Sequence, residues 1–104
     1  MKLQVKFSSR FEKDLKLAKK QKKDLYKLFY VIEKLANLEK LDSKYKDHPL
    51  LGEYKGLREC HIDPDWLLIY YIENNTLTLV LSRLGSHSDL FFLLTCVSEH
   101  ISIN

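Results

Sequence analysis

Residues 66–72, Trp-Leu-Leu-Ile-Tyr-Tyr-Ile, restrict the possible fold more than any other stretch of this chain. The run is apolar, aromatic and short, which is the pattern of a strand at the centre of a sheet. Turn signals close it at both ends. Asp63-Pro64-Asp65 precedes it, where proline sets φ and aspartate bonds to nearby backbone. Glu73-Asn74-Asn75 follows it, and asparagine tolerates the positive φ of a tight hairpin. A central strand needs neighbours. Residues 57–62 form one, with Arg58, Cys60 and Ile62 on one face and Leu57, Glu59 and His61 on the other. Residues 76–83 form the second, where Leu77, Leu79 and Leu81 alternate with Thr78, Val80 and Ser82.

The N-terminal part is different in kind. Leu3, Val5 and Phe7 alternate with Lys2, Gln4 and Lys6, which predicts a half-buried strand. Ser9 and Glu12 fit a capping box that starts a helix, and Phe11, Leu15 and Ala18 mark its buried stripe. No Gly or Pro separates it from the next helix, so a tight turn is expected near Gln21. Leu25, Leu28, Phe29, Ile32, Leu35 and Ala36 then repeat at helical period. Tyr26, Tyr30 and Val31 widen that stripe enough for one side to meet a partner as well as the sheet. The helix fades between Asn37 and Lys40. Residues 41–56 are irregular, because Asp47-His48-Pro49 cannot continue a helix and Gly52 and Gly56 permit tight turns. At the far end, Ser86 and Asp89 make a second capping box, and Leu90, Leu93, Leu94 and Val97 have the spacing of a short helix.

The resulting order, βααβββ with a helical tail, predicts an α+β sandwich. Its sheet is antiparallel-rich, two N-terminal helices cover one face, and the other face stays partly open. With 104 residues and no repeat or linker, residues 1–104 form one domain. No apolar run approaches the roughly 18–20 residues of a membrane span, and the N-terminus has no continuous apolar region of a secretory signal. The only cysteines, Cys60 and Cys96, form no Cys-x-x-Cys, which suits a reduced, cytoplasmic setting without a membrane partner. The net charge of +3 conceals an asymmetry, with +8 over residues 1–46 and −5 over residues 47–104. Lys13, Lys16, Lys19, Lys20, Lys22 and Lys23 concentrate the positive part. They suit either a solvated helix face or a surface that attracts RNA phosphates without reading bases.

His48, His61 and His87 fall at structural breaks, as does Asp65. Such breaks are where a rigid scaffold presents functional side chains. The histidines are too far apart for a local metal motif such as HExxH, but can converge at one sheet edge. Imidazoles that take and deliver protons, with a cation nearby, suit cleavage of RNA by its own 2′-hydroxyl. Arg83 is the candidate cation, and Trp66 or Phe91 can stack on an unpaired base. This chemistry requires neither metal nor cofactor. A metal-dependent hydrolase using His48, His61 and His87, and a binding protein without catalysis, remain open at this level.

One ordered set of residues carries more. Tyr45-Lys46-Asp47-His48-Pro49-Leu50, Lys55-Gly56, His61, Pro64-Asp65-Trp66, Leu68-Ile69-Tyr70, Arg83, Gly85, His87 and Phe91 together resemble the YafQ branch of the RelE/ParE toxin superfamily. The resemblance reaches back to Lys13-Asp14 and Leu17-Ala18 and covers about residues 1–92, leaving residues 93–104 as an additional tail. It implies a toxin of a type II toxin–antitoxin module, an mRNA interferase that enters the ribosomal A site and cuts mRNA through its 2′-hydroxyl, without metal or cofactor. It also implies a cognate antitoxin and contact with operator DNA only through the antitoxin complex. The functional set it implies is His48, His61, Asp65, Trp66, His87 and Phe91. In that scheme His87 is the general acid, and His48 or Asp65 is the base or orients the 2′-hydroxyl. His61 holds the phosphate or a neighbouring histidine, Arg83 stabilises phosphorane charge, and Trp66 and Phe91 shape the nucleotide pocket. Strict alternation places Arg83 with Leu77, Leu79 and Leu81 towards the helices, so a strand bulge or the strand end must re-aim it. A ParE-like toxin that poisons gyrase without cutting RNA, and a degenerate toxin limited to antitoxin and operator binding, are the alternatives.

Overall fold

The computed structural model describes residues 2–91. Its elements are β1 (Gln4–Phe7), α1 (Ser9–Lys20), α2 (Leu25–Ala36), β2 (His48–Pro49), β3 (Arg58–Asp63), β4 (Trp66–Glu73) and β5 (Thr78–Gly85). Two short 3-10 turns, Ser43–Tyr45 and Gly52–Tyr54, flank β2. Residues 87–91 begin a further helix, and the rest of the expected helical tail lies outside the described residues. The strand order is β1-β5-β4-β3-β2. β1 runs parallel to β5, and every other pairing is antiparallel. The architecture is the expected α+β sandwich, with the two-residue β2 added at one edge.

Local chemistry explains where the helices begin and end. The cap of α1 is Ser8 rather than Ser9. Its Oγ accepts the Phe11 N–H at 2.9 Å and donates to the Ser82 carbonyl at 2.8 Å, so one hydroxyl serves the helix and the sheet. Lys22 adopts φ 59° in the tight turn, and the Asp24 side chain then caps α2 by accepting from Tyr26 N–H. At the far end Leu38 takes φ 62°, so α2 stops where the sequence predicts it to fade. Leu28, Val31, Leu35 and Ala36 form the buried stripe of α2, with Leu25 and Ile32 at its margins. Val31 thus occupies the place expected of Phe29, whose ring is half exposed.

These helix residues meet Cys60, Ile62, Trp66, Leu68, Tyr70, Leu79, Leu81 and Leu84 in one core. Each fully buried Leu or Val contributes about 1.5–3 kcal/mol over an exposed position. Leu67, Ile69 and Val80 alternate with these residues and are also buried, though outside that cluster. Leu77 lies in the hairpin turn with φ 51°, so β5 starts at Thr78 rather than at the expected 76.

Two bulges set the faces near the site. Between β3 and β4, His61 pairs with Leu67 and Asp63 with Trp66, which leaves Ile62 as the extra residue. Between β4 and β5, Tyr70 pairs with Leu81 and Ile69 with Arg83, which leaves Ser82 as the extra residue. The second bulge reverses parity in β5. Leu84 therefore joins the core, and Arg83 turns to the face of Ile69 and Glu59, as the alternation argument requires. α1 covers the edge of β5 beyond the end of β1. Ser8 N–H donates to the Leu81 carbonyl, and the Leu84 N–H donates to Asp14 Oδ2 at 2.9 Å.

Candidate active site

β2 carries His48 beside Glu59, and the next pairs place Ile69 and Arg83 in the same transverse row. At about 4.8 Å per strand, Arg83 lies roughly 10 Å across the sheet from Glu59. His61, two residues after Glu59, shares its face. The loop that delivers His48 is anchored from the core side. The Asp47 carboxylate accepts from the Tyr70 hydroxyl and from Arg58 Nε. Burial, with help from that carboxylate, pushes the Tyr70 phenol well above its ordinary range, so it remains a donor. Lys46 takes a left-handed turn (φ 50°), and its carbonyl accepts from His48 Nδ1 at 2.6 Å. A carbonyl can only accept, so the bond fixes the proton on Nδ1 and turns Nε2 towards Glu59.

Glu59 is the centre of this arrangement. Its side chain is almost wholly buried, and a single oxygen, Oε1, lies 3.3 Å from His48 Nε2 and 3.7 Å from His61 Nε2. His61 then meets His87, with ring centroids 5.7 Å apart and planes at 68°. His87 is held by Asp65, whose Oδ1 accepts both the backbone N–H of His87 at 2.9 Å and its ring Nδ1–H at 2.7 Å. The result is a series of neighbours: His48, Glu59, His61, His87, Asp65. The two-residue turn 64–65 brings Asp65 to the exit of β5. The predicted capping box closes that exit, since Ser86 Oγ accepts from Asp89 N–H and Asp89 Oδ2 from Ser86 N–H, each at 3.1 Å. Gly85 is needed there, because a Cβ would stand 3.0 Å from that of Asp89.

Two members of the series differ electrostatically. Asp65 lies below the ordinary carboxylate range because it accepts the backbone and side-chain hydrogen bonds of His87, and it is therefore charged near neutral pH. His61 lies below the ordinary imidazole range. Burial is the main cause, opposed by Glu59 and reinforced by His87, Lys46 and His48. A neutral His61 can accept a proton, and a His87 with Nδ1–H fixed by a carboxylate has Nε2 available for exchange.

The remaining expected residues fall elsewhere. Arg83 is held by Asp14, with Nε 2.8 Å from Oδ2 and Nη2 3.3 Å from Oδ1. It shares the face of the cluster but touches none of its histidines among the described residues. Trp66 belongs to the helix-side core and is 2% exposed, with Lys23 Nζ 5.8 Å from its ring centroid. Its pairing with Asp63 puts it on the face opposite His61 and Leu67, so in this structure its ring packs the core and has no free face for a base. Phe91 packs edge-on against Tyr54 at 6.5 Å. Lys13, Lys16, Lys19, Lys20, Lys22 and Lys23 are all exposed on α1 and its following turn. Glu59 is the site residue that the sequence reading did not single out. The signal was its i−2 spacing to His61 within one strand. Among the described residues no three His, Cys, Asp or Glu side chains are grouped to hold a metal ion.

This small mixed sheet with two helices against it is the fold of small bacterial toxins of toxin–antitoxin modules, as its solved relatives show. The family model described as "Bacterial toxin of type II toxin-antitoxin system, YafQ" matches residues 3–92, and the chain belongs to that family. It is 43% identical over 88 residues to the mRNA interferase toxin YafQ of Escherichia coli K12, covering 84% of this chain and 94% of that protein. A metal-bound toxin from Helicobacter pylori superposes with a TM-score of 0.82 at 50% identity, covering 86% of this chain and 99% of that one. YafQ in the E. coli DinJ–YafQ toxin–antitoxin complex superposes at 0.79 with 41% identity, covering 88% and 99%.

Proposed function

We propose that this chain is a ribosome-dependent mRNA endonuclease that halts translation in the cytoplasm until a cognate antitoxin neutralises it. The observation that carries the reading is the cluster that gathers His48, Glu59, His61, His87 and Asp65 on one side of the sheet. In the reaction a base removes the 2′-hydroxyl proton, the 2′-oxygen bonds to the adjacent phosphorus, and the bond from phosphorus to the 5′-oxygen breaks. An acid protonates the departing 5′-oxygen, which leaves a 2′,3′-cyclic phosphate and a 5′-hydroxyl.

His87 is the acid. Asp65 orients it by accepting from its backbone N–H and its ring Nδ1–H. The base is His61, whose ring lies beside the Glu59 oxygen, while His48, with one nitrogen on the Lys46 carbonyl and the other facing Glu59, helps to hold that carboxylate in place. Arg83, on the same sheet face, supplies positive charge for the phosphorane once RNA competes with Asp14 for its guanidinium. Phe91 borders the nucleotide at the start of the last helix. The lysines of α1 hold ribosomal RNA by charge alone. The relatives support this reading by name, since the E. coli protein is an mRNA interferase and is found with an antitoxin.

The test is to map 5′ ends of mRNA in a translating extract for the wild type and His87→Ala. New ends within codons that depend on ribosomes and vanish in the variant are expected. Equal growth arrest by both proteins with intact mRNA would favour the non-cleaving, gyrase-directed reading instead.

A further inference from the structure

A groove of about 770 Å³ opens beside the active-site cluster and shares His61 with it. Tyr26, Lys27 and Tyr30 of α2 form one wall, Lys44, Tyr45 and Lys46 a second, and His61 to Pro64 the floor. It lies where β3 has outrun the two-residue β2, so this edge of the sheet is not covered by a strand. The volume is in the range of a ligand-sized cleft.

The lining alternates flat rings with positive charge. Tyr26 is 86% exposed and Tyr30 51%, and they sit one turn apart on the helix. Tyr30 and Tyr45 approach to 6.4 Å between centroids with planes at 34°. Lys34 Nζ stands 5.5 Å from the Tyr30 ring centre and Lys44 Nζ 5.3 Å from that of Tyr45. Asp63 is the carboxylate of the lining, and Lys27 neutralises it at 2.9 Å. Lys44 and Lys46 make no ion pair among the described residues. Lys46 also holds His48 through its carbonyl, so the groove is joined to the cluster through Lys46 and His61.

Unpaired RNA is a polymer of flat bases and phosphates. Exposed rings give bases a stacking surface, and unpaired lysines attract phosphates. An acidic peptide would match the lysines but leave the three tyrosines without a reason. We propose that the groove between α2 and the 44–46 turn is a nucleotide subsite that stacks an unpaired base flanking the scissile phosphate, so that these tyrosines contribute to where the message is cut. This rests on the nuclease reading and adds a substrate contact to it.

Tyr26→Ala combined with Tyr30→Ala removes the exposed rings without touching the core, and Lys44→Gln removes one charge. Both are placed in His87→Ala protein, and binding of a short single-stranded oligoribonucleotide is measured. The double substitution is expected to weaken binding by about 5- to 100-fold, and Lys44→Gln by less. In otherwise wild-type protein the double substitution should relax the base preference next to the cut while binding of the cognate antitoxin is unchanged. Unaltered oligonucleotide affinity and unaltered cut positions, with wild type still cutting, would overturn the subsite and leave the nuclease reading intact. Loss of antitoxin binding with RNA binding preserved would overturn it in favour of a protein-docking face. Wild-type protein that cuts no message would overturn the nuclease reading itself, and the subsite with it.

Discussion

The two histidine environments of this site are built differently. His87 is exposed and held by a 2.7 Å bond to a carboxylate that is itself exposed. His48 and His61 share one buried carboxylate oxygen at 3.3 and 3.7 Å, and His61 is largely sheltered. A short bond to an exposed, charged Asp65 fixes the tautomer of His87 and leaves one ring nitrogen for the substrate. A shared Glu59 oxygen makes the other two imidazoles interdependent, so protonation of one alters the field at the other. The difference is what the proposed roles rest on: proton delivery on the open side, and proton removal on the side where burial lowers the pKa of His61.

The largest expected effect falls on the open side. His87→Ala should lower the cleavage rate by about 10²- to 10⁴-fold with little change in stability. Glu59→Gln should lower it by about 10- to 100-fold and shift the rising limb of the pH–rate profile, because each unit of pKa change is worth about tenfold. Equal losses with identical pH profiles would erase the distinction between the two environments.

Arg83 belongs to neither environment and connects through α1. Asp14→Asn weakens the guanidinium contact and the hydrogen bond to the Leu84 N–H, and should cost about 1–3 kcal/mol of stability. A thermal melt should fall by about 4–8 °C per kcal/mol for a domain of this size. An unchanged melt would mean that the ion pair does not hold the end of β5.

A smaller effect separates the environments by pH. The folded value of His61 lies below its ordinary value, chiefly through burial. Its contribution to stability is therefore complete above the ordinary imidazole value of about 6.5 and is lost as pH falls through the folded value. Denaturant midpoints should decline on acidification through that window, and His61→Gln should flatten the decline. A midpoint that rises on acidification would contradict the assignment of His61 as the sheltered, neutral imidazole.

The smallest expected effect concerns the lysines of α1. Replacing Lys16 and Lys20 by Gln should weaken binding to ribosomal RNA and reduce the slope of log affinity against log salt by about one unit per lost phosphate contact. An unchanged slope would leave them as an ordinary solvated surface.

Much of the fold was legible because it is written in periodicity. The α2 stripe, the β4 core run and the Ser86–Asp89 box each follow from local spacing. The rest depended on pairing, which spacing does not encode. β2 is too short to show a period, and β1 lies beside β5 through a long-range parallel contact. The face of Arg83 depended on the Ser82 bulge; parity called for a bulge or the strand end, and only the register decides between them. Trp66 is instructive in the other direction. Alternation already placed it with Leu68 and Tyr70, and that parity, rather than its chemistry, decides that it packs in the core. Glu59 was visible on the face of His61, but its role appears only when β2 brings His48 to the same oxygen.

The most direct measurement is the chemistry of the cut ends, read on RNA recovered from a translating extract supplied with this protein. Attack by the 2′-hydroxyl predicts a 5′-hydroxyl on one fragment and a 2′,3′-cyclic phosphate, or the 3′-phosphate it hydrolyses to, on the other. A 5′-phosphate with a 3′-hydroxyl would contradict the account, because a water or metal-bound nucleophile would then have taken the place of the 2′-oxygen.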